Sequence, residues 1–192
     1  MYNARVKKSI ITIRGLQGSG KSATAKRVAA TLGYTHFSSG DFLRKIGSAL
    51  GMSIEESRKA SETDPSMDRE IDALLEKMGR EQNNLVIDSR LAYHWIPDGF
   101  HVFLDLDHHT AASRIFQDIQ TQGREGQSAA TIEEVEQKSA ERYQSDIARY
   151  KTLYNLNPFV PTANDLIIDT RVHDLDQVVE IILKKYKEWQ DS

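Results

Sequence analysis

Cysteine is absent from the 192 residues, which excludes disulfides and thiolate metal sites and is compatible with a reducing compartment. A basic surplus is absent too, since 25 Lys and Arg stand against 28 Asp and Glu for a net charge of −3. Polyanion binding normally draws on such a surplus, so nucleic acid is not expected as a partner and local arginines need explaining one by one. No long apolar run occurs. The basic opening MYNARVKKS leads into a stretch that is too short, and too soon interrupted by Arg14, for a signal peptide or a membrane span. The expected location is therefore cytoplasmic, with no membrane partner. The six histidines form no i, i+4 pair with a nearby carboxylate of the kind a helical zinc site shows, and His108 and His109 read as a solvated helix start. Repeats and low-complexity blocks are missing as well. A chain of this length suffices for one well-buried core and is short for two, so a single domain over 1–192 is expected, with a monomer as the default.

What is present alternates between two periodicities. The run SIITIR is β-branched and bounded by glycine, as a buried strand is, and Lys21 to Leu32 has helical spacing that stops at Gly33. A short strand around Tyr34 to Phe37 and a helix from about Gly40 follow. Ser53 with Glu56 in capping-box spacing, and the breaker Asp64–Pro65–Ser66, open two further helices. NNLVID and HVFLDL read as buried strands that end in Asp88 and Asp105. A helix over about His108 to Thr121 precedes the loop QGREGQ, and a long helix opens at Thr131 with Glu134 as capping partner. DLIID reads as a last strand and DLDQVVEIILKKYKEW as a terminal amphipathic helix. Strands separated by helices make a parallel sheet covered on both faces, here a three-layer α/β/α fold of five strands, with ligands at the carboxyl ends of the strands.

The stretch GLQGSGKS, Gly15 to Ser22, fits the spacing GxxxxGK[ST] between a strand and a helix. With glycine at about 7% of residues, chance would produce it in well under one chain in roughly a hundred. Gly15, Gly18 and Gly20 allow the backbone to aim N–H groups at phosphate oxygens, Gln17 and Ser19 lie between them, and Ala23 stands in the helix start whose positive end adds to the attraction. Lys21 is placed to bridge the outer phosphates of ATP and the Ser22 hydroxyl to ligate Mg²⁺. The metal also calls for a carboxylate at the end of a neighbouring strand. Asp88 meets that requirement, with Asp105 and Asp107 as competitors on spacing alone.

Several arginines fall toward the same end of the expected sheet. Arg44 follows FSSGD, Arg90 lies two residues past Asp88, Arg114 precedes the loop QGREGQ and Arg124 lies within it. Arg142, Asp146 and Arg149 occupy i, i+4 and i+7 of the long helix and so share a face. Singly each is explained by a surface ion pair, but beside a phosphate loop they suit the neutralisation of two anions and a phosphoryl group moving between them.

The segments GLQGSGKSATAKRVAATLG, FSSGDFLRKIGSALGMSIEE, VIDSRLA, REG, RYQSDIARY and NPFVPTANDLIIDT, in this order, are similar to those of nucleoside monophosphate kinases and most closely to cytidylate kinases of the short archaeal and the bacterial forms. The resemblance implies ATP-dependent phosphorylation of a pyrimidine nucleoside monophosphate, with Mg²⁺. It implies that Arg44 and Arg90, with Ser39, Gly40 and Asp88, hold the acceptor, and that Asp146 lies near its sugar. Arg124 would sit in a short lid over 121–130 and act on the transferred group together with Lys21, Arg142 and Arg149. The segment from Gly40 to Gln82 would be an arm that covers the acceptor rather than packing in the core. Two departures stand out: Leu91 occupies the place where bacterial members have a base-reading aspartate, and Lys21 is kept where archaeal members tend to lack it. The rival acceptors are AMP, UMP or a small-metabolite hydroxyl. A nucleotide-binding switch without an acceptor is the rival from another class.

Overall fold

A computed structural model of the protein describes residues 7–122 and 131–192. Its five strands are β1 (Ile10–Gly15), β2 (Thr35–Ser38), β3 (Leu85–Asp88), β4 (Phe100–Asp105) and β5 (Asp165–Asp169). They form one sheet in the order β2-β3-β1-β4-β5, every neighbouring pair parallel. The chain leaves β1 toward one edge of the sheet and returns through β4 to the other, so β1 ends at the topological switch point where such sheets bind ligands. The register levels the strand ends there: Ile13 and Ser38 both pair with Asp88, and Gly15 pairs with Leu104.

Helices α1 (Lys21–Leu32) and α8 (Leu175–Asp191) cover one face of the sheet. Ile11, Ile13, Val86, Val102 and Leu104 meet Ala25, Val28, Val179 and Ile182 there. The opposite face carries Ile10, Leu85 and Ile87 against α4 (Ser66–Glu81) and α5 (Ala92–Trp95). Helices α2 (Ser39–Ala49) and α3 (Ile54–Thr63) lie between β2 and α4, while α6 (His108–Gln122) and α7 (Ile132–Tyr154) pack on each other through Ala112, Ile115 and Val135.

The expected caps form. Ser53 and Glu56 make the reciprocal box of α3, Thr131 accepts from the Glu134 amide at the start of α7, and Asp174 with Gln177 closes a second box at α8. Two expectations are corrected and one short helix is added. The second strand begins at Thr35 rather than Tyr34, because α1 closes through Gly33 in left-handed conformation and the Tyr34 amide bonds back to Ala29 O. The short α5 had no period in the sequence long enough to reveal it. And the arm does not stand clear of the core: Met67, Ile71, Leu75 and Met78 form one buried stripe of α4 at i, i+4, i+8, i+11, and Ile71, Leu75 and Met78 of it pack against β3 and α5. Among the described residues no helix is long and apolar enough to cross a membrane.

Candidate functional site

The loop between β1 and α1 is held by contacts that only glycine allows. Gly18 has φ +85° and a Cβ there would come 2.7 Å from Ala111 O on α6; Gly20 has φ +85° as the N-cap of α1. Ser19 donates its amide to Leu16 O, and Lys21 Nζ lies 2.7 Å from the same carbonyl. The next residue, Ser22, donates its hydroxyl to Asp88 Oδ2 across the end of the sheet. Asp88 is buried, whereas Asp105 is exposed at the end of β4, so Asp88 is the strand-end carboxylate that meets the loop. A hydroxyl and a carboxylate so opposed are hard oxygen donors suited to Mg²⁺, which takes few protein ligands and completes its shell with phosphate and water.

Facing the loop is a compact network of charge. Arg142 donates to Gln17 Oε1 at 2.8 Å and lies 4.0 Å from Asp146. Asp146, only 3% exposed, also takes Arg90 at 3.1 Å and Arg149 at 3.0 Å. Arg149 reaches further, to Ser61 Oγ on α3 at 2.8 Å and to Asp68 Oδ2 on α4 at 3.3 Å. The expected face of Arg142, Asp146 and Arg149 is therefore real, and Arg90 joins it. Burial works against the charge on Arg90, but Asp146 and Tyr150 beside it overcome this and hold its pKa above the ordinary value. Deeper still, Asp72 accepts from Trp95 Nε1 at 2.9 Å and from the Tyr154 hydroxyl, and burial raises its pKa.

The cleft between loop and network is lined by Leu16, Gln17, Arg90, Arg142, Asp146 and Phe159, among others, and encloses only about 20 Å³. A cavity of about 190 Å³ adjoins it, sharing Leu16, His108, Tyr143 and Phe159. Phe159 lies 5.8 Å from the Arg90 guanidinium and 4.7 Å from the Tyr143 ring. Its loop is anchored from below by Arg14, the residue before Gly15. Arg14 is 1% exposed and donates to Pro158 O and Val160 O at 2.7 and 3.1 Å and to Asp165 at 2.5 Å. The rings of Tyr93 and Phe103 sandwich its guanidinium at 4.1 and 4.8 Å.

Other expected site residues are placed apart. Arg44 bonds Asp41 one turn back on α2 and is half exposed. Ser39 Oγ is buried without a hydrogen bond among the described residues, and Gly40 lies close to Arg44. Arg114 bonds Thr170 after β5 rather than the network. His108 is exposed and packs edge-on against Tyr143, and His109 pairs with Glu136. Arg124 and all but the first two residues of the lid expected over 121–130 lie outside the described residues. Asp68, Asp72, Ser61 and Phe159 escaped the sequence reading. Their partners lie from 16 residues away, as Tyr143 does from Phe159, to 88, as Arg149 does from Ser61, and a single sequence carries no trace of those pairings.

Residues 14–133 match the family described as AAA domain. The cytidylate kinase of Archaeoglobus fulgidus is 34% identical over 175 residues, 91% of this chain and 92% of that protein. An S-adenosylmethionine-dependent nucleotide dehydratase of Lacinutrix mariniflava is 30% identical over 181 residues, 94% of this chain, which spans only 36% of that protein's length. Among solved structures, shikimate kinase from Bacteroides thetaiotaomicron superposes with a TM-score of 0.61 at 15% identity, covering 95% of this chain and 98% of that one. At that identity the likeness is one of fold.

Proposed function

We propose that this chain, which belongs to the P-loop kinase family that includes the cytidylate kinases, transfers the γ-phosphoryl group of ATP to a pyrimidine nucleoside monophosphate, CMP or dCMP first. The observation that carries the reading is the arginine network opposite the loop: Arg90, Arg142 and Arg149 converge on one buried carboxylate, Asp146, within reach of Gln17. A monophosphate acceptor needs such guanidinium groups and no general base, because its second ionisation, pKa about 6, is largely complete at neutral pH. A hydroxyl acceptor instead calls for a carboxylate ready to take a proton, and Asp146 is engaged by three arginines.

In this mechanism the loop amides of Gly15 to Ser22 and Lys21 hold the β- and γ-phosphates of ATP. Arg90 and Arg142 exchange their contacts to Asp146 and Gln17 for the acceptor phosphate and the group in transit, and Arg149 stays anchored toward the nucleoside. Mg²⁺ held at Ser22 and Asp88 would add charge neutralisation at the phosphates. Arg124, in the segment the resemblance implies to be a lid, would add to this charge. Catalysis is alignment plus neutralisation, with the arm and lid excluding water. A coupled ADP-release assay of purified protein over CMP, dCMP, UMP, AMP, GMP and hydroxyl acceptors tests this. CMP or dCMP is expected to give the highest kcat/KM. Preference for AMP would keep the kinase and remove the pyrimidine, and turnover of a hydroxyl acceptor alone would refute the monophosphate reading.

A further inference from the structure

The contacts run outward from the loop in an unbroken series: Gln17 to Arg142, Arg142 to Asp146, Asp146 to Arg149, and Arg149 to Asp68. An acceptor lying along this series with its phosphate at the loop end would bring its base to the other end, on the first turn of α4. We propose that Asp68 reads the base of the acceptor, its carboxyl accepting a hydrogen bond from an exocyclic amine. The proposal rests on the pyrimidine monophosphate reading above and deepens it from phosphate to base.

Three observations support it. Asp68 is 7% exposed, yet Oδ2 takes no hydrogen bond of good geometry among the described residues and faces only Arg149 Nε, at 3.3 Å. An ion pair of this geometry leaves the carboxylate oxygen capacity to accept from a further donor. Asp72, one turn on, shows the contrast, because Trp95 and Tyr154 both donate to it. Secondly, burial, with Asp72 and Asp146 adding to it, outweighs Arg149 and Arg90 and pushes the Asp68 carboxyl up to about 6, a group poised to gain from a donor. Thirdly, Leu91, just after Arg90, is 4% exposed and apolar, so its side chain has no polar group to give a base edge. A carboxylate answers an amine such as the 4-amino group of cytosine and opposes a carbonyl at the same place, as in uracil.

The test compares CMP, UMP and the CMP analogue that carries hydrogen in place of the 4-amino group, by kcat/KM at saturating Mg·ATP. The wild type is expected to favour CMP over the analogue by roughly tenfold or more. In Asp68→Ala that preference should shrink to within about threefold while KM for ATP holds, and in Asp68→Asn, whose amide donates to a carbonyl, the CMP:UMP ratio should fall roughly tenfold. Asp68→Glu, which keeps the carboxylate, should retain the preference for CMP. A preference that survives in Asp68→Ala overturns the inference while CMP turnover leaves the proposed function standing. A wild type that turns over neither CMP nor UMP overturns both. Should the variants not fold, the wild type still decides: indifference to the missing amine refutes the role.

Discussion

Asp165→Ala should lower the melting temperature by about 6–20 °C. The Asp165 side chain is fully buried, its partner Arg14 is 1% exposed, and their oxygen and nitrogen lie 2.5 Å apart. The same oxygen accepts from Thr162 Oγ1 at 2.8 Å and from the Thr162 amide. Removing the carboxylate strands a guanidinium inside the protein with only the Pro158 and Val160 carbonyls and two aromatic faces. Breaking a buried pair from one side costs about 3–5 kcal/mol, and for a chain of this size each kcal/mol shifts the midpoint by about 2–4 °C. The double variant Arg14→Met, Asp165→Ala removes the stranded charge and should recover part of the loss. Thermal melts by circular dichroism on the two single variants and the double variant give the coupling. Because Arg14 anchors the carbonyls on either side of Phe159, which lines the cleft beside Arg90, KM for the acceptor should rise more than KM for ATP. A midpoint within about 3 °C of wild type, or additive single-variant losses, would show that the pair does not hold this loop.

The other predictions concern the charges of the site. Lys21→Ala is expected to fold normally and to lose roughly a hundredfold or more in kcat, about 3 kcal/mol of transition-state stabilisation; near-normal turnover in a folded variant would remove Lys21 from the reacting phosphates. Arg90→Met should raise KM for the acceptor roughly tenfold or more and leave KM for ATP nearly unchanged, and equal loss on both would mean that donor and acceptor sides are exchanged. For Asp68 the sign follows from linkage. Its folded pKa of about 6 lies above the unfolded value near 3.9, so the folded state holds the extra proton and wild-type stability declines as pH rises from about 4 to 6. The melting temperature of Asp68→Asn relative to wild type should therefore climb across that window and level off above it. A difference independent of pH would contradict a buried, protonated Asp68.

The alternation of strands and helices was legible because each segment advertises its own period and its own stop: SIITIR buried on both faces, Gly33 closing α1, Ser53 and Thr131 opening α3 and α7. So was the phosphate loop, whose chemistry sits in eight consecutive residues, and the shared face of Arg142, Asp146 and Arg149, which helical geometry alone imposes. Which strand-end carboxylate meets Ser22 was not legible, since Asp88 and Asp105 both end apolar runs. β3 and β4 both flank β1, so the sheet order does not separate them; the Ser22–Asp88 contact does, with Asp105 left exposed. The apolar stripe of α4 was legible in principle but was overridden by the polar composition of the arm around it.

Local periodicity, caps and the glycine-rich spacing are properties of neighbours in the chain, and the sequence by itself determined them. Tertiary structure alone decided that Arg14 is a buried anchor for the loop of Phe159, that Arg44 stays on the surface, and that Asp68 on α4 faces Arg149 on α7. The first and last of these depend on how a strand and a loop 144 residues on, or two helices about 80 residues apart, are brought together. The energy of a buried charge is set by that surrounding dielectric and its partners, not by the residues on either side of it.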